Sequence, residues 1–202
     1  MNPAAGQPIA HLFWRWVFAT SWGWLLGFVF LMLGAIAVDL LVGAEGAQFY
    51  LGLGMGTGIG YAQVRVTRAL QIGNAWGWAS VVGMAAPFAA SDILRAIWPG
   101  LPYMYSLWVS AACGGLLVGL LQRPMLRPHA LSINWWVPAS MAGWTLAAAT
   151  PLLYGTRPGV GVGGALISVI AIPLGGVILG LVSGGTLVWL LRRTPLNGPG
   201  HR

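Results

Sequence analysis

The sequence predicts an all-α membrane protein in which six transmembrane helices form three parallel helical hairpins around a pseudo-threefold axis, with both termini inside. Three observations predict this class. Hydrophobic residues make up 57% and charged residues 6% of the 202 positions, with a mean hydropathy of +0.77. Long apolar segments recur six times, and one pattern of Trp, Ala and Gly recurs three times. Soluble domains carry about 25% charged residues, so most of this surface must face lipid.

The six apolar segments are each close to the length that spans the hydrocarbon layer, which requires about 20 helical residues. The predicted spans are Trp16–Ala37, Ala47–Val64, Ala75–Trp98, Tyr103–Leu121, Trp135–Tyr154 and Val162–Leu191. The sixth is longer than the layer requires, so we expect it to tilt, protrude or bend at Pro173. Barrel strands are excluded because they alternate apolar and polar residues.

The charged residues predict the orientation of the spans. All ten basic residues are Arg. Eight of them fall on one side of a six-span chain: Arg15, Arg65, Arg68, Arg123, Arg127, Arg192, Arg193 and Arg202. The other side carries the remaining two with all three acids: Arg95, Arg157, Asp39, Glu45 and Asp92. Positive residues concentrate on the cytoplasmic side of a membrane, so we expect both termini to be cytoplasmic. Arg residues scattered between apolar runs do not predict nucleic-acid binding.

An internal repeat predicts the hairpins. Trp16, Ala19 and Gly23 recur at spacings of sixty residues, and the matching residues are Trp76, Ala79, Gly83, Trp136, Ala139 and Gly143. In the returning helices Gly60, Gln63 and Arg68 recur as Gly119, Gln122 and Arg127, and the third copy keeps Gly184 and Arg192 but has Leu187 in place of Gln. We therefore divide one transmembrane domain into residues 10–69, 70–128 and 129–195, with a tail at 196–202. An even number of spans per copy makes the hairpins parallel.

The repeat resembles a widespread group of bacterial polytopic membrane proteins in which W-x-x-A-x-x-x-G-W alternates with Q-x-x-x-L-R. The segment from Trp136 to Trp144 fits the first motif, and the segment from Gln122 to Arg127 fits the second. The segment from Gln63 to Arg68 departs by one residue, with Thr67 in place of Leu. The resemblance covers nearly the whole chain and implies a multi-pass protein of the bacterial inner membrane, cytoplasmic or intracytoplasmic. It implies no activity.

Many of the 31 glycines are predicted to let helices pack closely. In lipid there is no hydrophobic driving force between helices, so their association depends on close van der Waals contact. Two stripes of glycine on the second span predict close contact with two neighbouring helices, and the fourth and sixth spans also carry glycines at helical spacing. The predicted packing residues are Gly52, Gly56, Gly60, Gly115, Gly119, Gly180 and Gly184. A pore lining or a site of helix unwinding is the alternative interpretation of these stripes.

The twelve Trp residues divide by predicted depth. Nine are expected to form aromatic belts at the two interfaces: Trp14, Trp16, Trp76, Trp78, Trp98, Trp108, Trp135, Trp136 and Trp189. Trp22, Trp24 and Trp144 lie deeper and either pack against helices and lipid or line a groove for a flat apolar molecule. The candidate ligands are a lipid, a carotenoid, a quinone or a chlorin, and His129 could ligate a chlorin magnesium near the surface.

Four amides are predicted to hold each hairpin to the next: Gln63, Asn74, Gln122 and Asn134. Interhelical hydrogen bonds in membranes contribute about 1 kcal/mol each. A polar ring that guides a solute is the alternative.

Motifs for catalysis or metal binding are absent from the sequence. It contains no G-x-S-x-G, P-loop or H-E-x-x-H, and no His, Cys and carboxylate cluster with metal spacing. Cys113 is the only Cys and is expected to be a buried apolar residue. Asp92 and Arg95 are three apart and can form an ion pair. Asp92 and His129 are the only acid–base candidates for a lipid enzyme, and they lie on opposite faces.

Composition and repeat together predict a non-enzymatic structural or accessory subunit of a larger membrane complex, for which a photosynthetic or respiratory assembly is a natural host. Its partners would be membrane lipids and other membrane-protein subunits. The alternative is a small-solute transporter or channel built from parallel two-helix repeats. Three such repeats resemble the mitochondrial carriers in outline, but the carrier signature of Pro with an acid and a base is absent.

Overall fold

The computed structural model describes residues 9–42, 47–100, 102–129, 132–155 and 162–193. Side chains are described within these ranges except at residues 9, 41–42, 103–104, 129, 151–155 and 162–170. Predictions about Glu45, Arg157, Arg202 and the tail at 196–202 fall outside the described residues, as does the side chain of His129.

The described residues form six α-helices, which match the six predicted segments in order. They are α1 (Ile9–Val42), α2 (Phe49–Thr67), α3 (Ala75–Ile97), α4 (Tyr103–Leu126), α5 (Trp136–Gly155) and α6 (Val162–Arg192). Short 3-10 turns follow or precede them at Arg68–Leu70, Arg127–His129 and Ile133–Trp135. α1 extends seven residues before its predicted start and five beyond its predicted end, and α6 continues through Pro173 as one helix.

Four of the described helices are long and apolar enough to cross a membrane. The qualifying segments are Ala10–Leu40, Ala75–Ile97, Tyr105–Leu126 and Ala171–Arg192. The other two helices, α2 and α5, have 19 and 20 residues. At 1.5 Å per residue each reaches about 30 Å, the thickness of the hydrocarbon layer. Glycine lowers the hydropathy of α2, which carries five glycines between Gly52 and Gly60.

The six helices form a closed antiparallel ring. Each helix packs against its neighbours in the chain, and α6 packs against α1. Odd-numbered helices begin, and even-numbered helices end, at the same end of the bundle; we call it the terminal end. Seven of the eight described arginines lie there, and Arg95 lies at the opposite end, which we call the far end.

Glycines on two faces of α2 permit close contact with both neighbours. Cβ atoms added at Gly54 and Gly58 would collide with the backbone of α1 near Gly27 and Leu31. A Cβ atom added at Gly56 would lie 2.6 Å from the Ser80 carbonyl oxygen of α3. Only a residue without a side chain lets the backbones approach this closely.

The turn between α2 and α3 contains two residues with positive φ angles, Gln71 and Gly73. The chain leaves the 3-10 turn at Gln71 with φ 59° and continues through Gly73 with φ 64°. Both angles are in the left-handed region, which glycine adopts freely and other residues adopt at a cost. The turn is therefore short, and it holds α3 directly beside α2.

Asp92 organises the far end of the bundle. The predicted ion pair is confirmed, since Arg95 Nη2 lies 2.8 Å from Asp92 Oδ1. The Asp92 carboxylate also accepts hydrogen bonds from the backbone N–H groups of Gln48 and Phe49, at 2.8 and 2.7 Å. A carboxylate at a helix N-terminus satisfies donors that have no intrahelical partner. Asp92 of α3 thus caps α2, a role that the sequence spacing did not predict.

Candidate functional site

Three tryptophans from alternate helices meet on the central axis near the terminal end. Trp16, Trp76 and Trp136 are almost completely buried, with exposed fractions of 0%, 0% and 2%. Their ring centroids lie 5.6 to 6.2 Å apart, and two of the three pairs are edge-to-face. Such distances and angles are favourable between aromatic rings. We call this set the tryptophan layer; it fills the centre of the ring where α1, α3 and α5 begin.

Two glutamines connect the tryptophan layer to the helices around it. Trp76 Nε1 donates to Gln63 Oε1 at 2.9 Å, and Gln63 Nε2 donates to Thr20 Oγ1 at 3.1 Å. Gln63 therefore joins α3 to α1 through its position on α2. Both Gln63 and Thr20 are buried, so these bonds satisfy groups that water cannot reach.

Gln122 makes the corresponding contacts on α4. Trp136 Nε1 donates to Gln122 Oε1 at 3.2 Å, and Gln122 Nε2 donates to Ser80 Oγ at 2.9 Å. One even-numbered helix again joins the two odd-numbered helices that flank it. Each glutamine thus connects an indole of the following helix to a hydroxyl of the preceding one.

Ser183 occupies the third position of this arrangement. Trp16 Nε1 donates to Ser183 Oγ at 2.9 Å, and Ser183 Oγ donates to the Leu179 carbonyl oxygen at 2.6 Å. Ser183 accepts a hydrogen bond from the indole of α1, as Gln63 and Gln122 accept from the indoles of α3 and α5. Its own hydroxyl, however, donates to a carbonyl oxygen of α6 and not to a hydroxyl of α5. The side chain of Ser183 therefore joins α6 to α1, but it does not connect α1 to α5 as the glutamines connect their two neighbouring helices.

Contacts of the glycines fix the register of α6 and correct the sequence alignment. Gly60 lies against Gly77 and Ser80, Gly119 against Val137 and Ser140, and Gly180 against Val17 and Thr20. The residue three positions after each of these glycines is Gln63, Gln122 or Ser183. The match of Gly184 and Leu187 to the earlier copies was wrong by one helical turn. The shared spacing of Gly with Gln or Ser three residues later was the signal that could have found Ser183.

The remaining predicted packing glycines also lie at helix contacts. Added Cβ atoms at Gly52, Gly115 and Gly184 would lie within 3 Å of α3, α5 and α1 respectively, in each case of atoms outside their own helix.

The expectation that Trp16, Trp76 and Trp136 belong to the interfacial belt was wrong. All three are in the core, whereas their neighbours Trp14, Trp78 and Trp135 are more than 60% exposed. Depth in the membrane and side-chain direction are separate properties. The sequence prediction concerned depth alone and did not distinguish the two faces of each helix start. The inward tryptophans recur at a spacing of sixty residues and the outward ones do not, and this difference was the available signal.

A second aromatic layer lies further from the terminal end. Trp24, Met84 and Trp144 occupy corresponding positions in α1, α3 and α5, and all are at least 96% buried. The Trp24 and Trp144 rings are 6.2 Å apart and tilted by 41°. The Trp24 indole N–H has no hydrogen-bond partner in the described part of the chain. These side chains pack in the core, together with Ile59 and Leu179.

The residues predicted to bind an apolar ligand are not brought together. Trp22 is 57% exposed on the outer surface, while Trp24 and Trp144 are buried inside the ring. A single groove lined by all three is therefore wrong for this fold. His129 ends the 3-10 turn after α4, and its side chain lies outside the described residues.

The two predicted asparagines lie at helix starts and do not join hairpins. Asn74 precedes α3, is exposed, and its carbonyl oxygen accepts from the Trp78 N–H at 3.2 Å. Asn134 is exposed within the 3-10 turn before α5. Among the described residues, the glutamines and not the asparagines connect neighbouring hairpins.

The chemistry of the tryptophan layer is that of neutral donors and acceptors. Indole N–H, amide and hydroxyl groups can position helices and satisfy each other, but none titrates near neutral pH. Within the described ranges, no three His, Cys, Asp or Glu side chains come together in a way that could hold a metal ion. Cys113 is exposed on the outside of α4, contrary to the expectation that it is buried.

Comparison with protein-family models, with curated proteins and with solved structures gives no match to this chain.

Proposed function

We propose that this chain is a non-enzymatic structural or accessory subunit of a larger complex in the bacterial inner membrane. A photosynthetic or respiratory complex is the host to test first. The observation that carries the proposal is a bundle closed at its centre, with large apolar and aromatic side chains turned outward. Such a molecule offers surface to other helices and to lipids, and little else.

The architecture that we propose is three parallel hairpin copies crossing the membrane six times, with the terminal end in the cytoplasm. Equivalent contacts support the repeat, because Gly23, Gly83 and Gly143 each lie against the same position of the returning helix, which is Ile59, Val118 or Leu179. The arginine bias supports the orientation, since seven of the eight described arginines lie at the terminal end.

A closed centre favours a structural role over a transporter or channel. The tryptophan layer blocks the axis at one level, and Trp24, Met84 and Trp144 fill it at another. Solute movement along the axis would require both layers to separate. The glutamine bridges oppose that separation, since each joins two odd-numbered helices.

The face on which a partner helix would pack lies on α1. This helix has 34 residues, about 50 Å at 1.5 Å per residue, so it is longer than the hydrocarbon layer is thick. Only 22% of its most apolar segment is buried in the bundle, compared with 28% for α3 and 50% for α4 and α6. Exposed side chains recur along one stripe at helical spacing: Trp14, Phe18, Trp22, Val29, Leu33, Ile36 and Leu40. Trp and Phe are enriched at protein interfaces relative to other surfaces.

The test is purification of tagged protein from its native membrane in mild detergent, followed by mass spectrometry and an absorption spectrum. We expect the chain to elute with companion subunits or lipophilic cofactors. The double variant Trp14→Ala/Trp22→Ala should remove the companions, because tryptophan is enriched among the few interface residues whose truncation costs about 2 kcal/mol or more, about thirtyfold in affinity.

The matched control is Trp98→Ala, which removes a tryptophan at the far end of α3 that is more exposed than Trp14 or Trp22. This variant should retain the companions. A colourless monomer from wild-type membranes would contradict the proposal. Equal retention by the α1 double variant and by Trp98→Ala would contradict the assignment of the face to α1.

A further inference from the structure

The third hairpin carries an open groove on its outer surface at the terminal end. The groove lies between α5 and α6 and has a volume of about 550 Å³. It is lined by Trp135, Pro138, Ala139, Gly185, Thr186 and Trp189. A Cβ atom added at Gly185 would meet nothing within 4 Å, so the space directly outside this residue is empty of protein.

The groove exists because the third hairpin departs from the other two. With Gly180 in register with Gly60 and Gly119, the positions that correspond to Gly185 are Arg65 and Pro124. On the odd-numbered helices, Pro138 takes the place of two large exposed side chains, Phe18 and Trp78. The first copy thus has Arg65 and Phe18 where the third has Gly185 and Pro138, and the second copy differs from the third chiefly by Trp78. Gly185 and Pro138 both line the groove.

Positive charge lies at the end of this groove. The Arg193 guanidinium lies over the Trp189 ring, 4.2 Å from its centroid. Arg192 is the last residue of α6, and both arginines are exposed. The described acids, Asp39 and Asp92, are at the far end of the bundle. An apolar groove that ends in two cations is complementary to a molecule with an alkyl chain and an anionic head.

We propose that this groove binds an anionic phospholipid, with one acyl chain between Trp135 and Trp189 and the phosphate beside Arg192 and Arg193. Basic sites between transmembrane helices at the cytoplasmic side select anionic headgroups, and the aromatic side chains of Trp135 and Trp189 suit the level of the headgroups. The site is separate from the α1 face of the proposed function, so either proposal can fail alone.

The experiment is titration of delipidated protein in detergent with dioleoyl-phosphatidylglycerol or dioleoyl-phosphatidylcholine, with bound lipid counted by native mass spectrometry. We expect retention of one phosphatidylglycerol in preference to phosphatidylcholine. Gly185→Leu should abolish this preference by filling the groove. Arg193→Gln should weaken binding about fivefold, since one cation near an anionic headgroup contributes about 1 kcal/mol.

Two control variants match these changes elsewhere. Ala86→Leu adds the same side chain to another exposed small position, and Arg68→Gln removes an exposed arginine from the same end of the bundle. Both should bind phosphatidylglycerol as the wild type does. Equal binding of the two lipids, or unchanged phosphatidylglycerol binding by Gly185→Leu, would overturn the proposal. Loss of a companion protein from Gly185→Leu with unchanged lipid binding would show that the groove holds a partner side chain instead.

Discussion

Replacing Trp76 with alanine is expected to lower the free energy of unfolding by about 3–5 kcal/mol, the usual cost of removing a fully buried large aromatic side chain. The change empties one third of the tryptophan layer and leaves the Gln63 carbonyl oxygen without its donor. The measurement is unfolding in mixed micelles by increasing SDS, followed by tryptophan fluorescence and circular dichroism.

Trp78→Ala is the matched control for this variant. Trp78 lies two residues further along α3 and is 68% exposed, so its loss should change the free energy of unfolding by less than about 0.5 kcal/mol. Trp76→Phe should fall between the two, because it keeps most of the ring contact and loses the indole donor. Similar costs for Trp76→Ala and Trp78→Ala would contradict the central position of the tryptophan layer.

At Ser183 of α6, a substitution is expected to add a helix-bridging hydrogen bond instead of removing one. Ser183 bonds Trp16 and the Leu179 carbonyl oxygen of its own helix. The buried hydroxyl of Ser140 occupies the position that corresponds to Thr20 and Ser80. Ser183→Gln is expected to complete this bridge and to stabilise the bundle by about 1 kcal/mol. Ser140→Ala should cancel the gain.

Replacing Gly56 with leucine is expected to separate α2 from α3 and to cost at least about 3 kcal/mol, the upper part of the range for overpacked cores. The first added atom would lie 2.6 Å from the Ser80 carbonyl oxygen and 2.9 Å from Val81 Cα, which are backbone atoms that cannot move aside. The folded fraction after detergent extraction and the SDS midpoint should both fall.

Gly185→Leu is the control for this prediction. It makes the same chemical change where an added Cβ meets nothing within 4 Å. In detergent without added phospholipid its unfolding should match that of the wild type within about 0.5 kcal/mol. An SDS midpoint for Gly56→Leu as high as that of Gly185→Leu would show that α2 and α3 are not in close contact.

The sequence predicted the helices well because lipid imposes a simple rule. Each spanning segment must be helical, apolar and about 20 residues long, so α3 begins at its predicted residue, and α5 begins one residue after its own. The glycine faces of α2 could also be predicted, since residues four apart lie on one side of a helix.

Side-chain direction at the helix starts could not be predicted in the same way. In water, burial separates apolar from polar residues, but in lipid both the outward and the inward faces are apolar. Trp76 and Trp78 are therefore the same residue type at the same helix start, yet Trp76 is buried and Trp78 is exposed. Ser183 was missed for another reason. It lies 120 residues after Gln63, in step with the spacing of sixty residues, but the loss of Gln removed the residue type that marked this position.

The closed ring is tested most directly by an engineered disulfide between its first and last helices. A Cβ atom at Gly180 would lie 3.0 Å from Val17 Cα. The two positions are therefore well within the Cα separation of roughly 7 Å beyond which a disulfide cannot form. In a Cys113→Ser background, the pair Val17→Cys/Gly180→Cys should form an intrachain bond on mild oxidation, detected as one cross-linked peptide from α1 and α6. Absence of that peptide, under conditions in which Gly60→Cys/Gly77→Cys links α2 to α3, would contradict the ring.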